Sequence, residues 1–330
     1  MAILATERVL TLDYWKFAYD LVEGDVVFDR LGKPATIKLI QQYRAQSCYE
    51  VQLIDGLTVA GDEHLTLPLE NNKYRRRANE YKGKLKFRRP LSLTPISKIA
   101  TMPLTKDRGR FEYSIPTAGL LQLPHKDLPV PPFVFGYWFF NHHKDGKIST
   151  FADVEADVKE KFKDAGYQMI EKWHLRNGRT TFLVNPSIKT HLLPNIPTNI
   201  PNNYLLSSAE QRLELLSGIM HSKRSLYNQK LDRFRLTTKN KLLMKQVQYL
   251  AESLGCRTSL NYREDYREYT LLIKTKLKLL GSQTPKPIKV RQAARLITDV
   301  YEIEPQGCVH IETDGPDGSF LVGEGFIACH

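Results

Sequence analysis

The last 23 residues, Cys308 to His330, constrain the fold more than any other stretch of this chain: CVHIETDGPDGSFLVGEGFIACH. VHIET alternates apolar and polar side chains, the period of a half-buried strand. GPDG is turn chemistry, because Gly tolerates backbone angles closed to other residues and Pro fixes its own. SFLV and FIAC are apolar arms flanking a Gly-rich GEG turn, which is a hairpin signal. The sequence therefore ends in paired strands that deliver His330 at the end of the second arm.

The other end has the same character. Residues 2–67 read as short strands, RVLTL, DVVFD, ATIKLIQQY, CYEVQLI, LTVAG and HLTLPL, separated by breakers such as LGKP and IDG. That spacing predicts an all-β domain with no helical stripe. After Pro90 the pattern changes, and LPHKDLPVPP (Leu123 to Pro132) punctuates the entry to a mixed region. Helices are predicted over Phe133–Asn141, Thr150–Ala165, Ala209–Met220 and Asn240–Leu254, with strands YQMIEKWHL, TTFLV, RFRLTT, RTSLNY and EYTLLIK between them. The order of elements repeats, so the region reads as two similar α/β halves. From about Pro287 the chain returns to strands. We read residues 1–110 and 287–330 as one β domain and 111–286 as an insertion, which is tolerated where the two ends of a surface loop lie close together.

Composition narrows the partners. A chain of 330 residues has room for about two domains. No apolar run approaches the ~18 residues that span a bilayer, and no basic stretch leads into an apolar core at the N-terminus, so a cytoplasmic protein with no membrane partner is expected. The net charge of +12 favours nucleic acid as a partner. Residues 71–89 concentrate it: Lys73, Arg75, Arg76, Arg77, Lys82, Lys84, Arg88 and Arg89 alternate with Tyr and Phe. This composition suits phosphate contact with base stacking, and suits a solvated loop equally well. Cys48, Cys256, Cys308 and Cys329 form no CxxC pair and no finger spacing, so neither a disulfide nor a zinc site is expected.

The C-terminal stretch resembles the splicing region of an intein, in which a penultimate His lies against an asparagine whose cyclisation frees the downstream flank; here the sequence stops at that His. Such chains begin with Cys or Ser, a short strand and an L-x-x-G-D-x-V segment. The corresponding residues are AILATERVLTL from Ala2 and DLVEGDVV from Asp20. With Met1 as an initiator or flank remnant, Ala2 occupies the nucleophile position. The resemblance implies a mainly β, horseshoe-shaped Hint splicing domain that excises itself and joins its flanks by an N-terminal acyl shift and C-terminal asparagine cyclisation. In this form it would be inactive. It places His64 of VAGDEH at the histidine of a T-x-x-H block, with Gly61 replacing the threonine. His310 falls at the aspartate of a V-Y-D-I-E-V block, and Gly318 replaces a later histidine. A rarer class uses a cysteine of this last block as first nucleophile, but register assigns that position to His310 rather than Cys308. The CVHIE and PDGSFLVGEGFIACH pattern looks most like inteins in phage terminases or similar ATPase hosts.

The inserted region is similar to a LAGLIDADG homing endonuclease. PPFVFGYWFFNHH (Pro131–His143) and RLELLSGIMHSKR (Arg212–Arg224) look like its two signature helices, with Gly136 and Gly218 at the glycine that lets helices touch backbone to backbone. The acids that would hold catalytic metals fall at Asn141 and Lys223, and His221 replaces another aspartate. Hard cations such as Mg²⁺ need carboxylate oxygens. The resemblance thus implies a degenerate endonuclease with no metal and no cofactor, Mg²⁺ entering only if cutting were retained, with Asp145 the nearest remaining acid. Flanking host segments and double-stranded DNA are the implied partners of a monomer. An active endonuclease and a non-catalytic DNA-binding module are the alternatives.

Overall fold

The computed structural model describes residues 1–13, 15–71, 91–106, 109–143, 146–175, 178–192, 197–222, 224–275, 277–280 and 294–330. The chain divides into two compact units, Met1–Gln122 with Pro287–His330, and Leu123–Lys286. The observed division therefore falls later than residue 110. Tyr113–Pro116 is a strand of the first unit, paired with Ala294–Ile303 and Thr66–Asn71. The Gly119 amide also donates to the Arg30 carbonyl. A four-residue strand ending in proline is too short to show alternation in sequence.

The first unit is built of strands. A ten-stranded sheet runs in the order Val26–Phe28, Pro34–Arg44, Gly307–Thr313, Ala2–Leu4, Thr58–Asp62, Cys48–Leu53, Ala294–Ile303, Tyr113–Pro116, Thr66–Asn71, Ser92–Pro95. The N-terminal strand thus lies between a C-terminal strand and Thr58–Asp62, an arrangement no local sequence signal encodes. What holds it there is apolar burial: Ile3 is fully buried with Val9, Val51, Val59, Val309 and Val322. Burying one such side chain is worth about 1.5–3 kcal/mol. The C-terminal hairpin pairs Phe320–Val322 with Ile327–Cys329, and Val9 opposite Val322 joins it to Arg8–Leu10. One short helix, Ile96–Ala100, also contributes Ile96 and Ile99 to the core.

The second unit contains the predicted repeat. Each half has a helix, a strand, a second helix and two further strands. In the first half these are Pro132–Asn141, Ile148–Phe151, Ala152–Asp164, Gln168–Leu175 and Arg179–Asn185. In the second they are Ala209–Met220, Arg233–Thr238, Lys241–Ser253, Arg257–Arg263 and Glu268–Lys274, with Ser225–Asn228 added as an edge strand. Both sheets place the last strand of the half in the middle of the shared three-strand order. Pro132–Asn141 starts with proline at its first turn and is buried on nearly every side, as an all-round apolar helix must be. Ala209–Met220 starts at a Ser208/Gln211 capping box.

These two helices cross in backbone contact. A Cβ built on Gly136 would lie 2.5 Å from the Leu215 carbonyl oxygen, and one on Gly218 would lie 2.2 Å from that of Phe133. The contact is reciprocal, since each glycine meets the residue three positions before the other. Only glycine permits that approach. No helix among the described residues is long and apolar enough to cross a membrane.

Candidate functional site

The peptide bond between Met1 and Ala2 is held at both of its polar ends. Ala2 lies opposite His310, and Ile3 opposite Gly61. The Ala2 amide donates to Asp62 Oδ1 at 2.9 Å. The Met1 carbonyl lies 2.7 Å from His310 Nδ1, and because a carbonyl oxygen only accepts, Nδ1 carries the proton. His310 Nε2 lies 3.0 Å from Glu312 Oε1. Asp62 is 3% exposed, and its second oxygen accepts from Tyr43 Oη at 2.7 Å. Burial, and next the Asp62 carboxylate, push the Tyr43 phenol up. Ala2 itself packs in a small buried cluster with Leu4, Ala45, Cys48, Ala60 and Cys308.

Gly61 has a steric explanation. A Cβ there would meet the Ala2 carbonyl oxygen at 2.2 Å and Leu65 Cδ2 at 2.7 Å. The strand carrying the Met1–Ala2 bond is seated directly on the glycine, so a threonine at this position would displace it.

The two ends of the chain meet at Thr66. Its amide and carbonyl pair with the carbonyl and amide of His330 at 3.1 and 3.0 Å. Its hydroxyl donates to the His330 carbonyl at 3.2 Å and lies 3.6 Å from Met1 Sδ. The His330 ring is buried, and burial lowers its pKa, which favours neutral imidazole. Its Nε2 is buried and makes no hydrogen bond among the described residues.

His64 lies on the turn that follows Thr58–Asp62. Its ring is 70% exposed and lies 3.6 Å from the Glu63 carboxylate, in a turn closed by the Leu65 amide on the Asp62 carbonyl. Asp62, two residues earlier, is the group on the Ala2 amide. Gly318 adopts φ +66 at the end of the GPDG turn, where a histidine would be strained. Cys308 pairs with Leu4 and Tyr43 rather than with Ala2. Its Sγ lies 3.9 Å from that of Cys48, and burial, followed by Cys48, pushes the thiol up to about 12. The thiolate needed for attack is correspondingly scarce. Cys329 is fully buried in the hairpin, with its thiol raised by burial.

Asn141 and His221 lie at the ends of the two glycine-bearing helices. Asn141 is fully buried and its amide NH₂ donates to the Tyr137 carbonyl at 2.8 Å. His221 caps the second helix, with Nδ1 2.8 Å from the Ser217 carbonyl, and burial lowers its pKa. Neither the Asn141 amide nor the His221 imidazole is a carboxylate, the donor that Mg²⁺ prefers. Lys223 and Asp145 lie outside the described residues, as do Lys73, Arg75, Arg76, Arg77, Lys82, Lys84, Arg88 and Arg89.

No protein-family model matches the chain. A replicative DNA helicase DnaB from Mycobacterium intracellulare is 26% identical over 340 aligned residues, covering 96% of this chain and 56% of the helicase. The chain thus spans about half the length of that curated relative. The MchDnaB-1 intein matches at 23% identity and TM-score 0.20, over 21% of this chain and 53% of the intein. The homing endonuclease I-DmoI, solved with DNA and Mn, matches at 14% identity and TM-score 0.32, over 44% of this chain and 89% of I-DmoI. The chain is similar to inteins and to a homing endonuclease.

Of the residues singled out in the sequence, His310 lies against the Met1 carbonyl and His330 pairs with the Thr66 backbone. Asp62, Tyr43 and Thr66 were not singled out. One signal was present: Asp62 is a carboxylate ending the apolar strand TVAGD. Gly61 and His64, the first and last residues of GDEH, match the T-x-x-H pattern, whereas Asp62 falls at one of its unspecified positions.

Proposed function

We propose that this chain is a cis-splicing intein whose N-terminal splice junction is the Met1–Ala2 bond, interrupted by a degenerate homing endonuclease fold. One observation carries the reading: a single peptide bond is gripped at its carbonyl by His310 and at its amide by Asp62, with Thr66, the backbone partner of His330, touching the Met1 side chain. The carbonyl hydrogen bond lies where negative charge develops when a nucleophile attacks, the arrangement that stabilises an oxyanion. Ala2 supplies no nucleophile, so in this form the first step is blocked. The helicase match favours a DnaB-type host over the terminase that the C-terminal pattern suggested. In the insert, Asn141 and His221 in place of acids favour DNA binding without cutting, with affinity falling steeply as salt rises.

The test is restoration. Ala2→Cys, with Asn followed by Cys, Ser or Thr added after His330 and short peptides on both sides, should give joined flanks by mass spectrometry. His310→Ala should then slow release at the N-terminal junction by about 100-fold. Absence of any cleavage at that junction, even with added thiol, would overturn the reading.

A further inference from the structure

We propose that Asp62, held by Tyr43, drives the first step by stabilising the amine that this step creates. The inference rests on the splicing reading for its chemistry, and on the geometry alone for the contact. In an acyl shift, the side chain placed at residue 2 attacks the carbonyl carbon of residue 1. A C–S or C–O bond forms and the C–N bond breaks. The nucleophile's own proton passes to the departing nitrogen, giving a primary amine, which takes a second proton from solvent and becomes an ammonium. The exchange of an amide for a thioester is uphill, so whatever stabilises the ammonium pulls it forward.

Asp62 Oδ1 lies 2.9 Å from that nitrogen before reaction. In the reactant it accepts one hydrogen bond from a neutral amide. In the product the same oxygen faces a cation, so the attraction between two full charges is added to the hydrogen bond. The gain therefore favours product and the transition state leading to it over the bound peptide, which is what accelerates a step. Burial strengthens the effect, since the carboxylate is 3% exposed and water screens it little. Tyr43 Oη, at 2.7 Å, holds the other carboxylate oxygen and so fixes the direction in which the first one points. The other groups facing Asp62 are the Met1 ammonium at 3.8 Å, which becomes a neutral amide in any chain with a longer upstream flank, and the nearby thiols of Cys48 and Cys308. Neither thiol competes for the cation. Tyr43 acts only through Asp62 and is a positioning residue, whereas Asp62 touches a reacting atom.

Two measurements test this. With residue 1 removed, the Ala2 α-amine occupies the amide position. Followed by NMR, it should titrate clearly above the ordinary ~7.7–8.0, and return to that range in Asp62→Asn. An unshifted amine would overturn the proposal whatever the chain's activity. In the flanked Ala2→Cys chain, thiol-released N-terminal flank should fall on the order of 100-fold in Asp62→Asn, recover in part in Asp62→Glu, and fall about 3- to 10-fold in Tyr43→Phe. Release within twofold of the parent in Asp62→Asn sinks the proposal and leaves the splicing reading intact. No release from the parent itself sinks both. Unchanged thermal unfolding of Tyr43→Phe, whose side chain is 41% exposed, separates its positioning role from a folding defect.

Discussion

Glu7 contributes to the pH response of the β unit. Its Oε1 accepts from the Ala60 amide at 2.9 Å, and burial, opposed by that hydrogen bond and reinforced by Glu50, raises its pKa to about 7. A carboxyl group with a raised folded pKa stabilises the fold in its protonated form. That contribution is fully present below the unfolded value of 4.5 and is lost as pH rises through about 7. We expect Glu7→Gln, which keeps the acceptor and removes the charge, to flatten the stability profile between those limits. At pH 8 it should stabilise the protein by on the order of 1–3 kcal/mol. Urea unfolding at pH 5 and pH 8 checks this, and a mutant profile parallel to that of the parent would contradict it. At this scale the sequence was half legible. His310 and His330 stood out because each sits in a recognisable strand pattern. Asp62 did not, because its role depends on a backbone amide sixty residues away in sequence.

The elements themselves were read nearly residue for residue wherever their periodicity was strong. Ala209–Met220, Arg233–Thr238 and Glu268–Lys274 have the predicted limits, and Lys241–Ser253 lies within its predicted span. What the pattern could not give was how closely the helices meet. Ala is the better helix former by ~1 kcal/mol, so Gly218→Ala in an isolated helix would be stabilising. Here the new methyl group would lie 2.2 Å from the Phe133 carbonyl and 2.9 Å from the Tyr137 amide, both backbone atoms that cannot swing aside. We expect Gly218→Ala to destabilise the 123–286 unit by about 1–3 kcal/mol, the cost of overpacking. The drop should appear as a lowered midpoint for that unit in denaturant unfolding. An unchanged or raised midpoint would mean the helices part without cost.

At the scale of the whole molecule, each unit has a core of its own residues. The cluster around Phe135, Trp138 and Leu215 contains only residues of 123–286, and the cluster around Ile3, Val59 and Val309 only residues of the other unit. Closing the β unit around so long an insertion costs little more than closing it around a short loop, because loop entropy grows only logarithmically with length. We therefore expect calorimetry to resolve two unfolding transitions, and a chain with 123–286 replaced by a short linker to keep one of them at its original temperature. Loss of both transitions on deletion would show that the cores depend on each other.

The sequence by itself determined the two classes of unit, the order of their strands and helices, the internal repeat and the residues of the C-terminal hairpin. These follow from local periodicity and turn chemistry, which act over a few residues. Tertiary structure alone decided that Ala2–Leu4 lies between Gly307–Thr313 and Thr58–Asp62, that Asp62 rather than His64 takes the Ala2 amide, and that Met1 and His330 meet at Thr66. Those contacts join residues sixty to three hundred positions apart, where no local pattern acts and only the burial of Ile3 and its neighbours fixes the register.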